Sequence, residues 1–478
     1  MRYLLAPDSF KEAASAQTVA EAMRKGVMAG DPNAECRLMP LSDGGEGLAS
    51  ALVQAAGGTM RSVRTTDALG RPITAQYGFL GSIGRRSDIS NRTKDSDATV
   101  SDRAKASSNG DSPDIGSPDG DSQNSDFPDR GNSFESGRPD NHSISASSPT
   151  VRTAVIELAS ASGLEAIAPA DRDPMAASTY GTGMLIRDAI NAGAGRIVLG
   201  LGGSATTDGG TGLARALGYR FLDEYGRELP FGGGANINMA AIDDSNVSDE
   251  VRATPIILAC DVTNPLTGPQ GAAYVFSPQK GADPQQVELL DQGLAKFADA
   301  IADYRRRAIN INHSHETSSA AETLRGTSHR ITIDIRNVPG AGAAGGAGGG
   351  LLGLFNAQIE PGIDLVLNLL HAREACAWAD VVITGEGSID AQTPYGKVPS
   401  GIARLAKSQG KPAIAIGGKM THNPQTIAAL RETGIVATFG VTPGPASLPE
   451  LLAGTERNVE STCAAIAGSL GAIRNPLS

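Results

Sequence analysis

Arg196-Ile197-Val198-Leu199-Gly200-Leu201 runs straight into Gly202-Gly203-Ser204-Ala205-Thr206-Thr207-Asp208-Gly209-Gly210, and Thr211-Gly212-Leu213-Ala214-Arg215-Ala216-Leu217-Gly218 follows with helical character. A buried strand feeding a glycine-rich turn and then a helix start presents backbone N–H groups to an anion, with Ser204, Thr206, Thr207 and Asp208 available to orient it. The spacing G-x-x-x-x-G-K-[ST] occurs nowhere in the chain, so the standard phosphate loop is excluded. Taken alone, the turn reads equally well as a tight crossover that needs glycine for positive φ.

The same order recurs along the chain. Tyr3-Leu4-Leu5-Ala6 runs into Pro7-Asp8-Ser9-Phe10-Lys11, and a helical pattern then rises through Val19, Ala20, Met23 and Val27. Pro255-Ile256-Ile257-Leu258-Ala259 runs into Cys260-Asp261-Val262-Thr263-Asn264-Pro265. Asp380-Val381-Val382-Ile383-Thr384 runs into a turn read over Gly385-Glu386-Gly387-Ser388-Ile389-Asp390, with Gly396-Lys397 beyond. Strand-like runs near Ala413–Ile416 and Ile435–Phe439 extend the pattern, which implies parallel βαβ units. In open α/β sheets ligands sit outside the carboxyl ends of the strands, so loops far apart in sequence can line one crevice.

A chain of 478 residues exceeds what one core usually serves, so two domains are expected. The 59 glycines and few aromatics suit an α/β enzyme with many tight crossovers. A net charge of −11 with no Lys/Arg block argues against a nucleic-acid partner. Cys36, Cys260, Cys376 and Cys463 are scattered, which points to neither a zinc ribbon nor a disulfide framework. No apolar run is long enough for a membrane helix, and Asp8 comes too early for a signal-peptide core; a soluble, cytoplasmic protein is expected.

From about Gly84 to Thr150 the sequence turns to Ser, Asp, Asn, Gly and Pro, a composition unable to offset its ordering entropy by burial; a disordered insertion is expected there. It would loop out between Tyr77-Gly78-Phe79-Leu80 and Ala154-Val155-Ile156-Glu157-Leu158, read as neighbouring strands. A second polar insertion is read over about 305–329. Of the six histidines, His142, His313, His315 and His329 fall in these insertions, leaving His371 and His422 away from the candidate loops. A general base is therefore expected to be a carboxylate or a lysine.

Asp8-Ser9-Phe10-Lys11, Ser42-Asp43-Gly44-Gly45-Glu46-Gly47, Tyr180-Gly181-Thr182-Gly183, the 202–210 turn, Cys260–Leu266, Pro278-Gln279-Lys280-Gly281-Ala282, Pro339–Gly346 and Gly385-Glu386-Gly387 together resemble the bacterial glycerate kinase family, type I. The resemblance covers nearly the whole chain apart from the two insertions. It implies ATP-dependent phosphorylation of D-glycerate, commonly to 2-phosphoglycerate, with Mg2+ and with the active site in a cleft between two α/β domains. On that basis the expected fold is α/β. A discontinuous Rossmann-like parallel-sheet domain (1–68 plus 291–478) is interrupted by a second mixed α/β domain (69–290). Two positions depart from the pattern: Thr207 stands where the family usually has Asn, and Ser388 where it usually has Arg. Loss of a guanidinium at 388 removes a bidentate anion ligand.

Phosphoryl transfer asks for positioning, charge neutralisation and a group to take the hydroxyl proton. Lys11, Lys280 and Lys397 are the cations expected on ATP phosphates or the glycerate carboxylate, each inside a turn bounded by glycine or proline. Asp208 is the first choice for general base or for orienting the glycerate hydroxyl. Asp43 and Glu46 are candidates for Mg2+, with capping of the following helix as the structural alternative. Asp8, Asp261, Glu386 and Asp390 are further candidates for metal or hydroxyl contact. Ser9, Gly202, Gly203, Ser204, Thr206 and Asn264 would supply hydrogen bonds to substrate and phosphate. The position phosphorylated is left open between the 2- and 3-hydroxyls. Two readings of other classes compete. Gly340-x-Gly342-x-x-Gly345 satisfies a dinucleotide fingerprint, pointing to an oxidoreductase, although Glu360 is read as preceding a helix rather than ending the strand the fingerprint requires. A silent anion-binding module would bind nucleotide without turnover.

Overall fold

The structure is a computed structural model; the residues it describes are 1–10, 12–42, 47–81, 151–315, 334–421 and 423–474, without the side chains of 308–315. The long insertion read over 84–150 lies outside them, as do Lys11, Asp43, Glu46 and His422.

Two sheets organise the molecule. The first holds β1 (Arg2–Pro7), β2 (Glu35–Leu38), β11 (Val381–Ile389), β12 (Ala413–Met420) and β13 (Ile435–Gly440) in the order β13-β12-β11-β1-β2, all parallel. The expected pairing of the amino-terminal strand with the last third of the chain is present, Tyr3 lying opposite Val381 and Pro7 opposite Gly385. The second holds β3 (Thr59–Thr66), β4 (Pro72–Phe79), β5 (Thr153–Glu157), β6 (Arg196–Gly200), β9 (Ile256–Ala259) and β10 (Ala357–Glu360) in the order β10-β9-β6-β5-β4-β3. It is parallel from β5 to β10 and antiparallel at β3 and β4. Gly78 pairs with Val155, so the two strands flanking the long insertion are neighbours as expected. Two short strands, β7 (Arg220–Leu222) and β8 (Ala241–Asp243), form a separate antiparallel pair.

The strands are apolar on both faces because both sheets are covered on both sides. Leu4 and Ala6 of β1, Val155 of β5, Val198 of β6 and Ile257 of β9 share one core with helices between the sheets. Those helices are α2 (Leu48–Ala56), α10 (Gly362–Leu369), α11 (Ala372–Trp378) and α12 (Val398–Ser408), with α13 (Pro424–Thr433) packed beside α12. The alternate residues Tyr3 and Leu5 face α1 (Ala16–Gly30) and α15 (Thr455–Arg474), which pack together on the outer side. α14 (Leu448–Ala453) precedes α15. The outer side of the six-stranded sheet is covered by α3 (Ala159–Ser162), α4 (Tyr180–Asn191), α5 (Thr211–Ala216), α6 (Asp249–Ala253), α7 (Ala272–Phe276), α8 (Pro284–His315) and α9 (Ala347–Leu354).

Three sequence expectations change. Residues 385–389, read as a turn, continue β11, because Glu386, Ser388 and Ile389 find partners at Gly417, Lys419 and Met420 of β12. The domain boundaries at 68/69 and 290/291 do not coincide with sheet membership: β3 and β10 both belong to the six-stranded sheet, and residues 290 and 291 lie inside α8. The first part of the polar insertion read over 305–329 is helical, since α8 runs to His315 and Arg305 ties it to α9 by donating to the carbonyls of Gly353 (2.8 Å) and Leu352.

Candidate active site

The 202–210 turn is built around one carboxylate. Asp208 is fully buried, and its Oδ2 accepts from the Thr179 N–H (2.8 Å), the Thr179 hydroxyl (2.9 Å) and the Gly212 N–H (3.1 Å), while Oδ1 accepts from the Gly210 N–H (3.0 Å). Thr179 caps α4 and Gly212 lies in the first turn of α5, so one anion satisfies two helix N-termini. Burial pushes the Asp208 pKa up, opposed by these donors. The three amides can only donate, and the Thr179 hydroxyl, already accepting from the Leu213 N–H, donates too. These donors favour the ionised form, against the burial that favours the neutral one. Bound to these donors, the Asp208 carboxylate holds the turn in shape.

Beside it, Lys280 is also buried, held in the one-turn 310 segment Pro278–Lys280, and its Nζ donates to Ser204 Oγ (2.8 Å) and to the Thr206 carbonyl (2.6 Å). Burial pushes its pKa down to about 7, with the Asp208 charge pulling the other way. Thr206 Oγ1 is buried without a hydrogen-bond partner. Thr207, at the position of one departure from the family pattern, shares a 2.9 Å hydrogen bond with the buried Ser277 hydroxyl. Gly202 and Gly203 remain exposed, leaving the front of the turn open while the rest of it is buried.

The end of β11 is arranged differently. Glu386 accepts from Thr393 Oγ1 (2.6 Å) and lies 3.4 Å from Lys397 Nζ, which is also 3.6 Å from Asp390. Burial raises the Glu386 pKa, with Thr393 and Lys397 opposing. Asp390 is held below its usual range, since the Gln392 N–H and Lys397 outweigh its partial burial. Ser388, the other departure, places Oγ 3.4 Å from Asp390 Oδ2. Lys397 is the N-cap residue of α12, so this cluster sits at a helix N-terminus with side chains partly exposed.

A short stretch links the carboxyl ends of the two sheets. The Leu41 N–H donates to the Pro7 carbonyl at the end of β1, and six residues later the Gly47 and Ala49 N–H groups donate to Glu157 at the end of β5 (3.0 and 2.8 Å). Glu157 thus caps α2, a role the sequence reading had offered to Asp43 or Glu46; the signal was a lone acid ending an apolar strand. Asp8 follows β1, its N–H bound to the Gly385 carbonyl and its Oδ1 accepting from the Ser9 N–H (2.6 Å). Asp261, after β9, accepts from the Gly362 N–H (2.9 Å) and so caps α10, while the Asn264 amide is bound to the Gln270 carbonyl (2.8 Å). These contacts give Asp261 and Asn264 local structural roles.

The dinucleotide fingerprint is filled by protein. A Cβ at Gly342 would lie 2.2 Å from the Pro265 carbonyl oxygen, and one at Gly345 1.9 Å from that of Thr206. The Gly209 N–H closes the contact onto the Gly345 carbonyl (3.0 Å). Glu360, contrary to the sequence reading, does end a strand, β10, but residues 334–339 before the glycines form turns rather than the strand the fingerprint requires.

The model of the glycerate kinase family matches residues 3–89 and 132–471, leaving unmatched only 90–131, inside the stretch read as an insertion, and the extreme termini. The chain belongs to the glycerate kinase family. It is therefore an enzyme, a phosphotransferase. It is 36% identical to the glycerate kinase of Bacillus subtilis (strain 168) and 33% identical to the glycerate 2-kinase of Escherichia coli (strain K12), with 98% of each chain covered in both cases. The solved structure of a "putative glycerate kinase 2" from Salmonella typhimurium LT2 is 34% identical, covers both chains completely and superposes with a TM-score of 0.72. Among the described residues of this glycerate kinase family member, no helix is long and apolar enough to cross a membrane.

Proposed function

We propose that the chain transfers the γ-phosphoryl group of ATP to the 2-hydroxyl of D-glycerate, giving 2-phosphoglycerate and ADP, in the crevice outside the carboxyl ends of the two sheets. The observation that carries this reading is the end-to-end similarity to a glycerate 2-kinase, supported by the polar residues at the carboxyl ends of β1 and β5, which residues 41–49 link. Lys397 and Lys11 neutralise the phosphates. Asp8, beside Ser9 and the end of β11, takes the hydroxyl proton as the new P–O bond forms and the β,γ-bridge breaks. The open Gly202-Gly203 front of the turn, with Ser204 behind it, binds the glycerate carboxylate, and Lys280 fixes the Ser204 hydroxyl from beneath. Asp208 becomes a positioning residue that fixes this turn.

For Mg2+, the described donor set that fits is Glu386 with Asp390, two carboxylates already converging on one ammonium at 3.4 and 3.6 Å; hard oxygen ligands and only one or two carboxylates are what the ion requires. Bound there, it would supply charge neutralisation at the phosphates. No cluster of three or more acidic, histidine or cysteine ligands exists among the described residues.

Phosphorus NMR of the purified chain with Mg2+-ATP and D-glycerate tests the proposal. A 2-phosphoglycerate signal is expected. A 3-phosphoglycerate signal would overturn the position, and no product from folded, ATP-binding protein would overturn the kinase reading in favour of a silent module.

A further inference from the structure

A cavity of about 230 Å3 opens where the strands of the five-stranded sheet end. Its floor comes from two segments that flank the proposed phosphate region: Phe10 and Ala13 follow Asp8, and Gly387 of β11 is the neighbour of Glu386. Val441 and three leucines of α14 make its sides. α14 buries none of its residues and leaves Leu448 65% exposed, so this short helix holds an apolar face over a space no other side chain fills. Lys419, Thr442, Thr455 and Asn458 bring polar groups to these walls. Asn458, only 7% exposed, lines the cavity, and its amide has no hydrogen-bond partner among the described residues. An amide offers both a donor and an acceptor to whatever occupies the cavity.

The chemistry of the two substrates separates them at this cavity. Glycerate is three carbons bearing a carboxylate and two hydroxyls, with no apolar face to set against leucine and phenylalanine. A nucleobase has a flat apolar face and an edge carrying adjacent donors and acceptors. The volume is below the roughly 300 Å3 at which pockets for whole drug-sized ligands begin. It suits the base alone, with ribose and phosphates leaving past Gly387 toward Glu386 and Lys397.

We propose that this cavity seats the base of the nucleotide phosphate donor, with Asn458 hydrogen-bonding the base edge and α14 closing over its face. The assignment rests on the kinase reading above. Two variants of the full chain test it: Leu451→Trp, which fills the cavity from a partly exposed position on α14, and Asn458→Leu. ATP and inorganic tripolyphosphate, which keeps the phosphates and lacks the base, are titrated into each, and steady-state rates are measured alongside.

Both variants are expected to weaken ATP binding about tenfold, the scale of losing a good amide–base pair. Their affinity for tripolyphosphate and their KM for glycerate should stay at the wild-type values. Unchanged ATP affinity in both variants, from a wild type that turns over, overturns the base site and leaves the kinase reading intact. Selective loss of ATP affinity with no turnover by the wild type supports the base site and overturns the kinase reading. Should Leu451→Trp fail to fold, Asn458→Leu alone decides.

Discussion

The 202–210 turn with the neighbouring Lys280, and the 386–397 region, carry nearly the same inventory of glycine, carboxylate, hydroxyl and lysine at the carboxyl end of a parallel strand. Their physical states are opposite. In the first, Asp208 and Lys280 are buried and their polar atoms bind backbone or neighbouring hydroxyls. In the second, Lys397 and Asp390 keep 26% and 42% of their side chains exposed and face each other across 3.6 Å. One set holds a backbone in shape; the other holds charge where a ligand can reach it. Residue type and spacing are shared, so what distinguishes them is which donors the rest of the fold brings to each carboxylate.

The largest effect should come from glycine exchange, which separates the two regions sharply. Gly345 has φ +66° and backs directly onto the 202–210 turn, where an added Cβ would sit 1.9 Å from the Thr206 carbonyl oxygen. Gly345→Ala should therefore cost about 4 kcal/mol or more, the scale reserved for severe steric conflict in a core. Gly396, with φ +94° beside Lys397, has nothing within 4 Å of the added carbon. Gly396→Ala should cost only the strain of a left-handed residue, about 1–2 kcal/mol. Chemical denaturation of the two variants reads the difference, and equal losses would break the distinction between a packed turn and an open one.

Next in size is the exchange of one charge from each region. Asp208→Asn puts an amide NH2 where only donors converge, so it should lower stability by about 1–3 kcal/mol. Any loss of kcat should be shared with a loss of glycerate affinity, since the turn itself shifts. Lys397→Met should leave the melting temperature near wild type and lower kcat/KM by about 100-fold or more, the scale of removing one preorganised donor from a developing charge. Asp208→Asn with wild-type stability and a collapsed kcat would restore Asp208 as a group acting on the substrate.

Much of the fold was legible. The apolar runs near residues 3, 154, 197, 256, 381, 413 and 435 are strands because both faces of each sheet are covered, and this leaves a continuous hydrophobic signature. The extension of β11 through Ile389 was hidden, since Gly-Glu-Gly-Ser reads as turn and only pairing with β12 makes it strand. The six-stranded sheet likewise takes its two edge strands, β3 and β10, from distant parts of the chain, a shared membership that no local pattern encodes. The site was legible as a set of loops but not as a set of roles. Asp261 and Glu157 cap helices whose first turns come from other parts of the chain, and Asp208 binds Thr179 as well as its own following helix; only tertiary structure says which acids are so used.

The subtlest consequence concerns Lys280 and pH. Its ammonium has two acceptors, Ser204 Oγ and the Thr206 carbonyl, and a neutral amine with two N–H groups satisfies both equally well. With its folded pKa lowered to about 7 from 10.5, the unfolded chain binds more protons than the folded chain between these values. Stability then rises with pH across this window, because burying the charged form is the penalty and deprotonation removes it. Lys280→Met has no proton to lose, so the stability difference between wild type and variant should move in favour of wild type from pH 7 to pH 10. Denaturation at matched ionic strength checks this. A constant difference across the window would mean that Lys280 stays charged when buried, with the Asp208 carboxylate outweighing desolvation, and the turn would then be a buried ion pair held open at its glycine face.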